Sequence, residues 1–390
     1  MKLTSEIIER LRGAVQPERV REMAVKLIEV PSPTGEAGAV GDRLSELLGG
    51  AGFEVERPEA SWPSAPAVVT RYQAPSPGRI LQFNGHMDVV HLPYTPPSID
   101  DGILRGSGCS DMKGGVAAMC EALIVLKETG ILETGGILLT AHDLHETPWG
   151  DGRQLQTLIR EGYVGDGVLL PEYTYDRVPV VGRGMSRIEV EITREGIPVH
   201  EVMGGMDQPS VIAAGAELVQ RLRALDQQIS VKTHPLAGRE SLFIGKISSG
   251  EIFNQSPIGF QLSGTRRWIP GTVWADVERE FYEVVNQGER EPGIKVKGEI
   301  EYIKDAFELD PEAPLVEAFQ SAHQSVTGSP LPQGPKPFVD DGNTFLEESG
   351  IPAITHGPNA TGAHTVNEAV PLEELNRVAL VYACTAVAFC

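Results

Sequence analysis

The chain has 390 residues, 41% hydrophobic and 22% charged, the balance of a folded globular protein too long for one hydrophobic core, so two domains are expected. A formal net charge of -21 excludes the basic footprint that nucleic-acid binding requires. No apolar run is long enough to span a bilayer, no signal-peptide pattern opens the chain, and Cys109, Cys120, Cys384 and Cys390 form neither a Cys-x-x-Cys pair nor a disulfide framework, so a cytoplasmic protein with inert thiols is expected.

Residues 4–14 and 18–29 carry the apolar spacing of amphipathic helices, the second stopped by Pro31-Ser32-Pro33-Thr34-Gly35-Glu36. A third helix, about Ala37 to Leu48, precedes short strands at Phe53-Glu54-Val55 and Val68-Val69-Thr70. The run from Leu81 to Val90 contains a buried strand that ends in Gly85-His86-Met87-Asp88. Residues two apart on a strand point to the same side, so His86 and Asp88 can reach one point. That is the spacing of a metal-binding histidine and a carboxylate that orients it, although a solvated polar strand end reads the same way in isolation.

Glycines crowd Asp111 in Gly106-Ser107-Gly108-Cys109-Ser110-Asp111-Met112-Lys113-Gly114-Gly115, before a helix at Val116–Thr129. The spacing is not that of a phosphate-binding loop, and a carboxylate held closely in a metal site fits better. A second buried strand, Ile137 to Ala141, ends in His142-Asp143-Leu144-His145-Glu146, the densest set of candidate ligands. A third, Gly167 to Leu170, ends in Pro171-Glu172-Tyr173. Three apolar strands thus finish on His86, Glu146 and Glu172. Alternating helix and strand imply an α/β sheet covered on both faces, which gathers ligands at the carboxyl ends of its strands.

From about Arg183 the pattern becomes that of half-exposed strands, as in Ile188-Glu189-Val190-Glu191-Ile192. The order is strand, helix at 210–224, strands near 242–247 and 258–263, helix at 274–286, and strand at 294–303. This β-α-β-β-α-β order is ferredoxin-like. An α+β domain at 183–304 is therefore expected, inserted between catalytic segments 1–182 and 305–390. Near the end, His364 lies in the polar loop Gly357–Glu368, before a closing helix.

Taken together, Pro31–Glu36, Gly85–Asp88, Asp111–Gly115, the inserted domain and Ala363-His364-Thr365 resemble the metallopeptidase family of acetylornithine deacetylase, succinyl-diaminopimelate desuccinylase, carboxypeptidase G and aminoacylase. The resemblance implies an α/β/α catalytic domain with two divalent metals, zinc first, with manganese or cobalt admitted. It makes Asp111 the bridging carboxylate, with His86 and Glu172 on one metal and Glu146 and His364 on the other. Asp88 would orient His86, and such metal pairs supply a hydroxide nucleophile while polarising the scissile carbonyl. The inserted domain becomes a lid that forms a homodimer. His200 would be an oxyanion donor from the lid, with Asn254 and Arg267 contacting a substrate carboxylate.

The family has two adjacent glutamates where this chain has His145-Glu146, so His145 stands in the general-base position. It could act as the base, bind metal, or mark the loss of ordinary peptide hydrolysis. The expected activity is hydrolysis of an amide C–N bond in a small carboxylate-bearing substrate, such as an N-acyl amino acid or dipeptide. The alternatives are an atypical C–N bond, as in the related nitroanthranilate aminohydrolase, and a non-catalytic metal-binding relative.

Overall fold

The computed structural model describes residues 3–287 and 292–390. The chain divides into two compact units. One comprises the residues up to Val180, Leu309–Gly334 and Asp340–Cys390; the other comprises Val181–Glu308 and Pro335–Val339. The segment at 335–339 joins the second unit although it lies well beyond the expected insert.

The first unit is built on a six-stranded sheet in the order Val55–Glu56, Val68–Gln73, Thr134–His142, Ser76–His86, Gly167–Leu170 and Ala353–Thr355. The last four strands run parallel, and the first two are antiparallel additions at one edge. Leu81 to His86 and Gly135 to His142 are buried without a break, because helices cover both faces of a parallel sheet. Each large apolar side chain so enclosed stabilises the fold by about 1.5–3 kcal/mol. In register, His86 stands opposite His142, so the two central strands end level. Glu172 follows the neighbouring strand by two residues, and His356 follows the edge strand by one.

The helix Lys113–Thr129 starts three residues earlier than its apolar pattern suggests and is buried from Lys113 to Leu126. It packs against the helices Pro17–Ile28 and Leu372–Phe389. Its first turn fits only because it carries glycines: a Cβ on Gly115 would lie 2.2 Å from the Pro171 carbonyl oxygen, and one on Gly114 would lie 2.3 Å from that of Cys109. Those close approaches bring the Asp111 loop against the strand end that bears Glu172.

The second unit has an antiparallel sheet in the order Ser241–Ser249, Gly259–Trp268, Gly184–Arg194 and Ile294–Lys304. The helices Val211–Ile229 and Trp274–Asn286 contribute Leu218, Leu222, Phe281 and Val285 to a core with Ile188, Val190, Phe260 and Leu262. Alternation explains this along the middle of the strand Gly184–Arg194: inward Ile188, Val190 and Ile192 are apolar, and outward Glu189 and Glu191 are charged. The first helix runs five residues past its expected end, to Ile229. Mixed α/β with a ferredoxin-like insert is the observed class. Among the described residues, no helix is long and apolar enough to cross a membrane.

Replacing Gly115 tests the close approach. Alanine in place of glycine within a helix ordinarily gains about 1 kcal/mol. Here the clash with the Pro171 carbonyl reverses the sign, and Gly115→Ala is expected to lose about 1–3 kcal/mol in urea unfolding. An unchanged or raised stability would contradict this packing.

Candidate metal centre

The carboxyl ends of the parallel strands, the loop before the helix Lys113–Thr129 and the loop around His364 bring the expected ligands together within the first unit. His86, Asp111, Glu146 and Glu172 are each at most 5% exposed, so they form a buried cluster of ligand types rather than a solvated surface. The two oxygens of Asp111 face different donors. Oδ1 lies 3.0 Å from His86 Nε2, which is itself 3.6 Å from Glu172 Oε1. Oδ2 lies 3.2 Å from His364 Nε2, which is 3.1 Å from Glu146 Oε2. Asp111 thus stands between two sets of nitrogen and oxygen donors.

The ring of His86 is set by its backbone. Nδ1 donates to the Asp88 carbonyl oxygen at 2.9 Å, which aims Nε2 at Asp111 and Glu172. The Asp88 carboxylate, expected to orient that ring, lies 3.6 Å from Nδ1 and accepts instead from the backbone N–H groups of His145 (3.1 Å) and Glu146 (3.0 Å). Strand periodicity locates Asp88 correctly, but its carboxylate is turned toward the next strand's loop.

His145 stacks on His86, with ring centroids 4.0 Å apart and planes within 3°. Its Nδ1 lies 2.8 Å from Asp341 Oδ1 and its Nε2 lies 3.8 Å from Glu172 Oε1. His86, His145 and Glu172 also form a group of potential ligand atoms within 4.8 Å of one another. Leu144, just before His145, and His364 both have left-handed backbones, with φ of 65° and 60°, conformations that non-glycine residues hold only when their surroundings fix them.

Two carboxylates were not anticipated. Asp341, 2% exposed, opens the helix Asp341–Ser349, whose start is fixed by a capping box between Asp340 and Asn343. Glu368, 4% exposed, accepts from the backbone N–H groups of Gly108 (3.1 Å), Ser110 (2.9 Å) and Asp111 (3.1 Å), and so holds the loop that carries Asp111. Glu368 is four residues after His364, a clue available in the sequence. Asp341 lies 196 residues beyond His145, and its local sequence reads only as a helix start.

The cluster fits divalent cations on its own chemistry. Without them, protons take up the charge. Burial opposes charge on His86, yet hydrogen bonds to Asp111 and Glu172 outweigh it and raise its pKa well above the usual histidine value. Hydrogen bonds to Asp111 and Glu146 push His364 up to about 10. Burial, and then the charge of Asp111, raise Glu172 to about 7. Asp111 itself is held below the usual carboxylate range, because bonds from His364 and His86 overcome its burial. Packed carboxylates with imidazole nitrogens between them are a mixed donor set suited to zinc and similar ions.

His200, Asn254 and Arg267 belong to the second unit. His200 Nε2 and Asn254 Nδ2 lie 3.0 Å apart, across the short pairing of Val199–His200 with Gln255–Ser256. Arg267 lies near the far end of the strand Gly259–Trp268, about 26 Å along it from Gly259 at the rise of a strand. Within one chain, Arg267 thus lies at the end of that strand away from the segment that follows Asn254. Arg267 sits beside Arg183; burial and then that neighbour lower its pKa to about 10, and neither arginine forms an ion pair among the described residues.

A parallel α/β unit whose strand ends converge on a shared aspartate, with histidine and glutamate donors on either side, belongs to the metal-dependent hydrolases. The chain belongs to peptidase family M20/M25/M40, whose sequence model matches residues 82–388. A succinyl-diaminopimelate desuccinylase of Methylobacterium nodulans is 26% identical over 379 residues, covering 91% of this chain and 92% of that protein. An N-formyl-4-amino-5-aminomethyl-2-methylpyrimidine deformylase of Bacillus subtilis is 26% identical over 404 residues, covering 92% and 91%. Among solved structures, the aminopeptidase PepT of Bacillus cereus shares the fold, with a TM-score of 0.78, 21% identity and coverage of 96% of this chain and 100% of its own.

Proton bookkeeping tests the centre. His364, pushed up to about 10, holds a proton at pH 7, Glu172 at about 7 is partly protonated, and the Asp111 and Glu172 carboxylates raise His86 in the same direction. Ligands must shed those protons, so zinc added to metal-free protein at pH 7 in weak buffer is expected to acidify the solution until the sites are filled. Binding without proton release would contradict the assigned ligands.

Proposed function

We propose that the chain hydrolyses the amide C–N bond of a small, carboxylate-bearing N-acyl amino acid or dipeptide at a pair of divalent metals, zinc first among them. The observation that carries this reading is the position of Asp111, whose two oxygens face two separate donor sets. His86, Glu172 and Asp111 would hold one metal, and Glu146, His364 and Asp111 the other. When bound, such a pair supplies Lewis acidity toward the carbonyl and an activated water.

The chain's own residues manage protons and orientation. His145 Nε2 takes a proton from water as the oxygen's electron pair bonds to the carbonyl carbon. As the C–N bond breaks, its pair moves to nitrogen and His145 returns the proton there, leaving a carboxylic acid and an amine. Arg267, desolvated beside Arg183 and without an ion-pair partner among the described residues, receives the substrate carboxylate. His200 would donate to the oxyanion, delivered by the lid of a second copy in a homodimer; its Nδ1 accepts from the Val202 N–H, so Nε2 would be the donor once it exchanges Asn254 for the substrate.

A second reading takes a flat, aromatic amine as the leaving group. Trp149, 45% exposed and three residues after Glu146, stacks on His91 with centroids 4.6 Å apart and planes within 6°, a surface on which a planar ring could lie. The deformylase relative is named for a pyrimidine substrate.

A panel of N-succinyl, N-acetyl and N-formyl amino acids, dipeptides and N-formyl aminopyrimidines distinguishes the readings. Hydrolysis is expected to stop with a chelator and return with zinc or manganese. Asp111→Asn should lose metal and activity together. Arg267→Ala should lower kcat/KM by about 10–150-fold for substrates with a carboxylate, the equivalent of about 1.5–3 kcal/mol, and far less for those without one. No chelator-sensitive hydrolysis of any member would sink the proposal and favour a metal-binding protein without catalysis.

A further inference from the structure

His145 is held by more than its neighbours at the strand end. Its Nδ1 lies 2.8 Å from Asp341 Oδ1. Asp341 Oδ2 in turn lies 2.9 Å from His142 Nε2 and accepts from Asn84 Nδ2 at 3.2 Å. His142 Nδ1 donates to the carbonyl oxygen of Asp143 at 3.1 Å, which fixes that ring as well. Asp341, His142 and Asn84 are each at most 2% exposed. Both Asp341 oxygens are therefore committed, and the carboxylate cannot turn without stranding a buried donor.

This geometry bears on what His145 can do. A metal lies in the plane of an imidazole that binds it, about 2.0–2.1 Å from the nitrogen. The rings of His86 and His145 are stacked 4.0 Å apart and nearly parallel, so one ion cannot lie in both planes. With Nε2 of His86 committed to the Asp111 and Glu172 side, His145 stands beside the metal ligands as a separate group. Asp341 accepts the Nδ1–H of that ring, so when His145 gives up one proton it is Nε2, 3.8 Å from Glu172 Oε1, that becomes bare.

We propose that Asp341 is a positioning residue for proton transfer: by accepting the Nδ1–H of His145 it fixes the tautomer whose bare Nε2 faces the ligand cluster. His142 and Asn84 hold Asp341 in place. The arrangement couples the histidine that stands in the glutamate position to a buried acid from a distant helix start. The inference rests on His145 being the proton carrier.

Nitrogen NMR of the zinc-loaded, [15N]histidine-labelled chain tests the pairing without any variant. His145 is expected as the Nδ1–H tautomer with an uncoordinated Nε2. An Nε2–H tautomer would overturn the proposal, and so would coupling of that nitrogen to 113Cd in the cadmium-loaded protein, which would make His145 a ligand.

The kinetic arm uses the best substrate of the panel with Asp341→Asn, His145→Gln and the double variant, each first checked for metal content and melting temperature. Asp341→Asn is expected to keep its metals, lose the single tautomer, and lower kcat by about 10²-fold or more with KM changed by less than about threefold. In the His145→Gln background it should cost nothing further, because both act through one ring. A full additional loss in the double variant, or loss of metal from Asp341→Asn, would assign Asp341 another role and overturn the proposal. If His145→Gln left kcat intact, the proton-carrier reading would fail. A fall in His145→Gln without one in Asp341→Asn would refute the positioning role alone.

Discussion

One buried carboxylate sets the terms for the first unit. Asp111 must offer each oxygen to a different donor set, inside a region where an unpartnered charge is costly. Its loop is fixed from behind by Glu368, which gathers the backbone N–H groups of Gly108, Ser110 and Asp111, and from ahead by a helix that starts at once. Gly114 and Gly115 let that helix close on the strand end carrying Glu172. The parallel order of the central strands then brings His86, Glu146 and Glu172 to the same edge. The packing of the sheet and the placement of the ligands are one problem with one solution.

The charge balance explains why the cluster needs cations. Several buried carboxylates face three imidazoles, of which His364 is half exposed, and their mutual repulsion is relieved by protons that sit high on the histidines and on Glu172. His145 shares in this: against burial, the charge of Asp341 raises it to about 9. Divalent ions would relieve the same repulsion with fewer particles and better geometry.

Much of this was legible because it follows from local rules. Apolar runs that end in His86 or Glu172 mark parallel strands and their carboxyl ends, and strict alternation at Ile188–Ile192 marks the antiparallel insert. What local rules cannot convey is which way a short side chain turns. Asp88 shares a face with His86, yet its carboxylate serves the backbone of His145 and Glu146, and the ring takes the Asp88 carbonyl. Nor can they convey partners made by topology. Asp341 reaches His145 only because a helix that follows the inserted domain starts beside the second strand's end. Within one chain, Asn254 pairs with His200, while Arg267 lies near the other end of the strand that follows.

The account stands on Asp111 lying between two metals. Crystals of the zinc-loaded protein, with anomalous differences collected at the zinc edge, test this most directly. Two peaks about 3.5–4 Å apart, one on each side of the Asp111 carboxylate, are predicted. A single peak, or a second peak away from Glu146 and His364, would contradict it.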